Sequence, residues 1–234
     1  MTSLVLATRN AHKVREIQAI LGHRFHYYSL HDFPSAPVIA EDADTFVGNA
    51  TRKSVGLAQW MSSLQHSPKS KLGDATEVIV LADDSGLEVD FLNGAPGVYS
   101  ARFAALDGKA TGNSDDSSNN AKLLKLLHDV PSEKRSARFR CVLALTPVPE
   151  RNVENSSPAC ALEGAEFQTE IFEGTCEGRI AREASGAGGF GYDPLFIPSG
   201  FDVSFAALSE ETKNKISHRA LALERLRRRL YGRC

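Results

Sequence analysis

The sequence predicts an α/β protein in which helices flank a mixed central sheet. Short apolar runs alternate with stretches of helical spacing through the first half of the chain, and hairpin-like strands follow in the second half. No internal repeat is visible. The chain of 234 residues exceeds the usual domain length of roughly 150 residues, so we expect one large or bilobed domain with a sizeable core.

The composition is that of a globular protein without excess charge. Lys and Arg number 27 and Asp and Glu number 29, a balance that argues against a dedicated nucleic-acid-binding protein. The apolar runs are far shorter than the roughly 20 residues of a membrane span, and we expect no signal peptide. The four cysteines are scattered without a C-x-x-C pair, which favours reduced thiols in the cytoplasm over a zinc site.

The chain begins with a predicted strand, a polar loop and a helix. Residues 4–7 are fully apolar, and Asn10 or Thr8 can cap a helix whose apolar positions recur at helical spacing: Val14, Ile17, Ile20 and Leu21. Free N–H groups and the helix dipole would make this loop an anion site, with Lys13 adding a positive charge. The alternative is ordinary capping with a solvated lysine.

A second helix is predicted from Thr45 to about Met61. Lys53 lies within its apolar stripe, between Phe46 and Leu57. A lysine on a buried face is costly unless it is paired or meets an anion. The alternative is that its alkyl stem follows the surface and carries the ammonium group into water.

The middle of the chain contains the most convincing buried strand, at residues 78–82. The sequence Asp-Asp-Ser-Gly at residues 83–86 is typical of a turn, and a second short strand is expected at residues 87–90. A polar loop over residues 107–120 then leads to a Leu-rich helix over residues 121–128. This arrangement places two acidic side chains at the carboxyl end of a strand.

Two acidic pairs are candidate metal ligands. Asp83 and Asp84 follow a buried strand, where ligands of open α/β sheets collect, and adjacent carboxylates suit a hard cation such as Mg²⁺. Glu41 and Asp42 form the second pair, shortly before the second helix. The alternatives are an Asx turn for the first pair and a charged approach to a helix for the second.

The second half of the chain is predicted to be richer in strands. Residues 138–145 form one strand, and residues 166–180 form two strands around Gly174 and Gly178. A last helix is expected over residues 217–231, and its apolar stripe is Ala220, Leu223, Leu226 or Arg227, and Leu230. Two polar stretches are expected to be surface excursions: residues 62–76 and residues 147–165.

A glycine-rich segment at residues 186–191 contains a formal G-x-G-x-x-G pattern. It is not a dinucleotide-binding fingerprint, because that pattern needs a following helix and Pro194 disfavours helix at Asp193. The glycines would instead let the backbone approach a flat group, with Phe190 and Tyr192 available to stack on it. The alternative is a loop that packs these aromatic rings into the core.

A cationic cluster lies at the start of the last helix. Lys213 precedes the helix, Ser217 is a plausible cap, and His218 and Arg219 occupy the first turn. Positive charge at a helix N-terminus opposes the helix dipole, which points to an anionic or carbonyl-bearing partner. The later run of arginines at residues 227–229 is better explained as a solvated helix face.

Six segments, taken together and in order, carry a resemblance to a known family. They are residues 8–13 (TRNAHK), residues 45–53 with Thr45, Phe46, Asn49, Ala50 and Lys53, residues 82–87 (ADDSGL), residues 94–102 (GAPGVYSAR), residues 188–194 (GGFGYDP) and residues 217–219 (SHR). This set resembles the inosine triphosphate pyrophosphatase family, which hydrolyses non-standard purine nucleoside triphosphates. The resemblance covers nearly the whole chain.

The resemblance implies a single bilobed domain over residues 1–234, with an active-site cleft between two lobes, and a homodimer. It implies Mg²⁺-dependent hydrolysis between the α and β phosphates, which gives the monophosphate and pyrophosphate. The residues that it implies for the triphosphate are Thr8, Arg9, Asn10, Ala11, His12, Lys13 and Lys53. Those that it implies for Mg²⁺ are Glu41 and Asp84, supported by Asp83, and Asp84 is also the base that activates water.

The resemblance also implies which residues bind the rest of the substrate. They are Ser85, Phe190 as the ring that stacks on the purine, Gly191, Tyr192 and Asp193 beside it, and Lys213, His218 and Arg219 at the 6-oxo edge. Donors from Lys213 or Arg219 would pair with a 6-oxo group and confront the amino group of adenine. We therefore expect ITP, dITP and XTP as substrates.

Two departures from the family pattern leave questions open. The segment before Thr45 is one residue shorter than usual, so either Glu41 or Asp42 could be the metal ligand. The excursions at residues 62–76 and 147–165 are longer than in compact members. Two other functions are considered: a Maf-like pyrophosphatase with another base preference, and a nucleotide-binding sensor without catalysis.

Overall fold

The computed structural model describes residues 2–63, 72, 77–107, 112–149 and 167–232. Its strands are β1 (Ser3–Leu6), β2 (His26–Ser29), β3 (Val78–Val89), β4 (Ser136–Pro147), β5 (Glu170–Ile180) and β6 (Phe196–Pro198). Its α-helices are α1 (Ala11–Leu21), α2 (Phe46–Ser63), α3 (Asp116–Leu126), α4 (Glu210–Ile216) and α5 (His218–Tyr231). Short 3₁₀ segments connect several of them, including Gly97–Arg102 and Ala104–Asp107.

In the described residues the strands form one sheet of six, in the order β2-β1-β3-β4-β5-β6. β1 is parallel to both β2 and β3, and Leu6 lies opposite Ser29 on one side and Leu81 on the other. β5 and β6 are antiparallel. The predicted mixed sheet with flanking helices is therefore confirmed.

The chain forms two compact units, and β3, β4 and β5 contribute to both. The first unit contains Met1–Asp83 and Leu143–Phe172. Its core includes completely buried side chains from a strand and a helix that the sequence predicts: Leu4, Val5 and Leu6 of β1, and Ala50, Leu57 and Ala58 of α2. Burial of this apolar surface, at about 25 cal/mol per Å², drives the packing.

The second unit contains Asp84–Val142 and Glu173–Cys234. Its core is centred on aromatic rings, with the Phe139 and Phe196 centroids 4.7 Å apart and the Phe196 and Phe205 centroids 5.2 Å apart. Leu87, Leu123 and other buried aliphatic side chains complete the cluster.

The predicted turn at residues 83–86 is wrong, because β3 runs through it as one strand of 12 residues. Local turn chemistry is outweighed by partners that the sequence does not show. On one side of this segment, Ala7 N–H donates to Leu81 O. On the other side, Leu87 N–H donates to Ser100 Oγ, and Glu88 bridges to Pro96.

The division of residues 166–180 into two strands is also wrong, because β5 is continuous. Its glycines allow close approach rather than a turn. A Cβ on Gly174 would lie 2.1 Å from His218 O, and a Cβ on Gly178 would lie 2.3 Å from Ile197 O. These glycines therefore admit the backbones of α5 and β6.

The predicted loop over residues 107–120 is wrong in its second part, where α3 begins at Asp116. Asp115 caps this helix by accepting from Ser118 N–H at 2.8 Å. The first turns of α3 bury little apolar surface, so their residues are polar. A polar run of this kind resembles a loop in the sequence. β2, β6 and α4 were not predicted from the sequence.

The two predicted excursions lie largely outside the described residues. Within the described part, α2 extends to Ser63 and β4 extends to Pro147. None of the helices in the described ranges is both long enough and apolar enough to span a bilayer.

Candidate functional site

The loop between β1 and α1 is organised by its own side chains. Asn10 caps α1 by accepting from His12 N–H at 2.9 Å and Lys13 N–H at 3.2 Å. Thr8 Oγ1 accepts from Asn10 N–H at 3.0 Å. Of the two predicted caps, Asn10 and Thr8, the structure shows Asn10, which fixes the start of the helix that carries Lys13.

Two lysines from different helices converge on one carbonyl oxygen. Lys13 Nζ donates to Asp83 O at 3.3 Å and pairs with the Asp83 carboxylate. Lys53 Nζ donates to the same Asp83 O at 3.0 Å and to Glu41 Oε2 at 3.1 Å. Lys53 is only 8% exposed, so its ammonium does not follow the surface into water. The structure therefore joins Lys13, Lys53, Glu41 and Asp83 in one charged cluster.

The Asp83 carbonyl is available to the lysines because of where β1 ends. The parallel pairing of β1 with β3 stops at Leu6 opposite Leu81. Asp83 lies beyond this last paired residue, and there its carbonyl accepts from two ammonium groups. Negative oxygens thus collect at the carboxyl end of β1, where ligands of open α/β sheets bind.

The acidic pair before α2 is split by the fold. Glu41 turns towards Lys53, whereas Asp42 pairs with Arg52 and its side chain remains 71% exposed. Asn49 holds the segment, since its Oδ1 accepts from Ala43 N–H at 2.9 Å and its Nδ2 donates to Ala43 O at 3.3 Å. Of the two acids, Glu41 is the one that faces the lysine cluster.

The acidic residues fit a metal shared with a ligand better than a metal held by protein alone. In the described ranges, no group of three His, Cys, Asp or Glu side chains lies close enough to hold a metal. Mg²⁺ is commonly held by one or two carboxylates together with water and substrate phosphates. Glu41 and the buried Asp83 and Asp84 supply hard oxygen donors of this kind.

A second cluster lies in the second unit, around the loop that follows the glycine-rich segment. Asp193 is 2% exposed, and its Oδ2 accepts from Phe190 N–H at 2.9 Å and from Lys213 Nζ at 2.6 Å. Gly189 has φ +74°, and a Cβ there would lie 2.1 Å from Asp193 Oδ2. The glycine is therefore required both by the backbone conformation and by the approach of this carboxylate.

The half-buried ring of Phe190 has two cations near it. Lys213 Nζ lies 5.0 Å and Arg219 Cζ lies 5.7 Å from the ring centroid, distances at which cation–π attraction operates. Arg219 is 1% exposed and also donates to Ser85 Oγ at 3.3 Å. The arrangement offers a flat apolar surface together with hydrogen-bond donors.

The start of α5 places His218 and Arg219 in the core. Ser217 caps the helix by accepting from Ala220 N–H at 3.2 Å. The His218 ring stacks on Phe139 with centroids 4.7 Å apart and an interplanar angle of 15°. Gly174 allows the backbone of His218 to approach β5 closely. This role was not predicted, because the sequence favoured a turn at that glycine.

Several predicted residues lie outside these clusters. His12 contacts Arg15 at the surface, and the Arg9 carbonyl contacts His31 Nε2 at 3.0 Å. Tyr192 is buried and donates to Ser100 O at 2.9 Å, and burial raises the pKa of its hydroxyl well above the usual value. Tyr192 therefore anchors the loop and does not present an open ring.

The chain is similar to known proteins over nearly its whole length. The family model described as the Ham1 family matches residues 4–229. The chain is similar to the dITP/XTP pyrophosphatase of Desulforamulus reducens, with 43% identity over 223 residues, 95% of this chain and 92% of the relative. It is equally similar to that of Pseudomonas aeruginosa, with 43% identity and 98% of each chain covered.

Solved structures agree with these relatives. A HAM1 protein from Coxiella burnetii has a TM-score of 0.73 with 35% identity and covers 100% of each chain. The Ham1 protein of Staphylococcus aureus has a TM-score of 0.72 with 33% identity and covers 98% of each chain.

Proposed function

Since this chain belongs to the Ham1 family, we propose that it hydrolyses the non-standard purine nucleoside triphosphates ITP, dITP and XTP to the monophosphate and pyrophosphate. The convergence of Lys13 and Lys53 on Asp83 carries this proposal. Each of these ammonium groups has a carboxylate partner, and two cations that converge on one point also suit the several charges of a phosphate chain. The relatives' names support dITP and XTP as substrates.

The phosphate chain is assigned to the cluster of the first unit. Lys13 and Lys53 are paired with Asp83 and Glu41, and a triphosphate would take over both ammonium groups as its counterions. Mg²⁺ is the proposed cofactor, and Glu41, Asp83 and Asp84 would hold it together with phosphate oxygens and water. When bound, it neutralises phosphate charge and polarises the reacting phosphoryl group.

Asp84 is the proposed general base. It is 7% exposed and follows Asp83 directly in β3, and the resemblance to the family supports this role. Its carboxylate would accept a proton from the attacking water as the water oxygen bonds to the α-phosphorus. The bond from that phosphorus to the bridging oxygen breaks, and pyrophosphate leaves with the electron pair.

The purine is assigned to the cluster of the second unit. Phe190 would stack on the base, while Lys213 and Arg219 would donate to a 6-oxo group. Adenine presents an amino group there, so donors would face a donor, and each unpaired buried group costs about 1–3 kcal/mol. Two such penalties give roughly 10²-fold discrimination or more.

We also propose a homodimer in the cytoplasm, with no nucleic-acid or membrane partner. Cys176 is a buried free thiol, which suits a reducing compartment. The resemblance to the family supports the dimer. Size-exclusion chromatography with light scattering measures the oligomeric state directly, and a monomer at micromolar concentration would contradict it.

Pyrophosphate release with Mg²⁺ tests the proposed activity. ITP, dITP and XTP should be turned over far faster than ATP and GTP. Release of single phosphate, or equal turnover of all five, would refute the proposal. Preference for a pyrimidine or modified nucleotide in a wider panel would indicate a Maf-like enzyme, and saturable ITP binding without product would indicate a sensor.

Variants of the acidic residues test the assigned roles. Asp84→Asn should nearly abolish turnover, because an amide cannot take the proton of water, and its melting temperature should stay close to that of the wild type. Glu41→Gln should raise the Mg²⁺ concentration needed for half-maximal rate. The matched control is Asp42→Asn, since Asp42 pairs with Arg52 at the surface. If Asp42→Asn has the larger Mg²⁺ effect, the choice of Glu41 is wrong.

A further inference from the structure

Helix α3 holds the peptide unit of Gly191 from both sides. Gly191 N–H donates to Asp116 Oδ2 at 2.6 Å, and Asn120 Nδ2 donates to Gly191 O at 3.0 Å. Asp116 and Asn120 are one helical turn apart, so their side chains share a face of α3. One charged and one neutral hydrogen bond thus fix a single residue next to Phe190.

The helix that supplies these two side chains is itself well anchored. Asp115 caps it, and the buried Asn119 accepts from Ala104 N–H at 2.8 Å and donates to Ala101 O at 3.4 Å. Asn119 therefore ties α3 to the 3₁₀ segments before it. Asp116 and Asn120 act on Gly191 from a rigid support.

Stability alone does not explain why Asn120 is present. Its Oδ1 is buried and, within the described part of the chain, has no hydrogen-bond partner. An unsatisfied buried acceptor is a net cost to the fold. The same side chain donates to Gly191 O. Polar groups that reduce stability are expected at functional sites.

The backbone at Gly191 needs such restraint. Its φ is +62°, a left-handed conformation, and open space surrounds the position where a Cβ would lie. A glycine without neighbours that restrict it can adopt many conformations. Asp193 N–H donates to Phe190 O at 3.2 Å across Gly191, and Tyr192 is held by Ser100, so the two hydrogen bonds from α3 complete the restraints on the turn that carries the Phe190 ring.

We propose that Asp116 and Asn120 are positioning residues that fix the Phe190 ring and thereby set the selectivity between purine bases. Neither residue needs to touch the substrate. The inference rests on the proposed function, because the selectivity concerns purine nucleoside triphosphates. It adds α3, which the family motifs of this chain do not include, to the part that recognises the base.

Steady-state kinetics of Asp116→Ala and Asn120→Ala test the proposal. Loss of a charged hydrogen bond should raise KM for ITP by about tenfold and leave kcat within about twofold. The ratio of kcat/KM for ITP to that for ATP should fall by a similar factor, because only ITP has the 6-oxo group that Lys213 and Arg219 would meet. Asp116→Asn should recover most of the selectivity, since its amide oxygen still accepts from Gly191 N–H.

The matched control is Ser117→Ala, in the same turn of α3, because Ser117 contacts Asp115 and not the loop. It should keep the wild-type selectivity. Hydrogen–deuterium exchange adds a readout that needs no substrate, since the Gly191 amide should lose protection in Asp116→Ala. Unchanged selectivity with a lower melting temperature would show a merely structural role and overturn the inference.

Failure of the inference and failure of the proposed function give different results. If the wild-type protein neither hydrolyses nor binds ITP, both fall together. If the wild type is selective and both alanine variants remain equally selective, only the role of α3 falls.

Discussion

Gly174→Ala is the sharpest test of how the fold positions the residues that we propose bind the base. Gly174 lies in β5 beneath the start of α5, and an added Cβ would lie 2.1 Å from His218 O and 2.5 Å from Ala222 N. Both are backbone atoms and cannot rotate away. Since carbon contacts are comfortable at about 3.5–4.0 Å, the helix must retreat by roughly 1 Å or more.

The displacement should reduce both stability and activity. Overpacking of this kind costs about 1–3 kcal/mol, which corresponds to a fall in melting temperature of roughly 2–12 °C for a chain of this size. Arg219 donates to Ser85 Oγ at 3.3 Å, and a shift of about 1 Å breaks that bond. Misplacement of a binding group by about 1 Å can cost about 10²-fold in kcat/KM.

Scanning calorimetry and ITP kinetics measure these two effects. The matched control is Gly56→Ala in α2, where the new Cβ would lie 3.1 Å from Ile39 Cδ1, the end of a flexible side chain. Alanine also favours a helix over glycine by about 1 kcal/mol, so this control should melt at or above the wild-type temperature. Wild-type stability and wild-type kcat/KM in Gly174→Ala would refute the close-approach role.

Three further predictions follow from the described contacts. Lys53→Met should lower kcat/KM for ITP by about 10²-fold while the melting temperature changes little, because Asp83 O keeps its bond to Lys13; kinetics and calorimetry check this. Asn49→Asp should raise the Mg²⁺ concentration for half-maximal rate several-fold. A carboxylate cannot donate to Ala43 O, so the segment that carries Glu41 becomes less ordered. A Mg²⁺ titration of the rate measures this effect, and electron paramagnetic resonance of bound Mn²⁺ checks it. Burial raises the pKa of the Cys176 thiol to about 11, so its alkylation at pH 8 should be roughly 100-fold slower in the folded protein than in urea. Because the folded state favours the neutral thiol, the stability that this group contributes is present below pH 9 and is lost as the pH rises towards 11. Peptide mass spectrometry and denaturation at several pH values test these last two points.

The starts of three helices were predictable because the residues that determine them are neighbours in the sequence. Asn10, Thr45 and Ser217 are capping residues followed by apolar positions at helical spacing, and α1, α2 and α5 begin beside them. The same local reasoning fails where distant partners decide the structure. Nothing near residues 83–86 shows that neighbouring segments will pair with them and keep β3 extended.

Two glycines of β5 also show why contacts with distant segments could not be predicted from the sequence. Gly174 and Gly178 are consistent with a turn from sequence alone, because a sequence does not show whether a glycine supplies flexibility or space. Here both supply space for backbones that are distant in the chain. The hydrogen bonds from Asp116 and Asn120 to Gly191 could not be predicted either, since Asp116 lies in a polar run that resembles a loop.

The placement of charge explains how a chain with 27 basic and 29 acidic residues can serve a polyanion. Each lysine of the two clusters already has a carboxylate partner: Asp83 for the half-buried Lys13, Glu41 for Lys53 and Asp193 for Lys213. These pairs offset the free-energy cost of removing the lysines from water, because a buried charge without a partner is strongly destabilising. They also mean that a triphosphate cannot take the lysines of the first unit without leaving Glu41 and Asp83 in need of another cation. A divalent metal that arrives with the phosphates meets that need, whereas Asp193 keeps the Phe190 N–H as a second partner and requires none. The metal is therefore expected at the phosphate cluster and not at the base, which is the division of labour that hydrolysis of a phosphoanhydride requires.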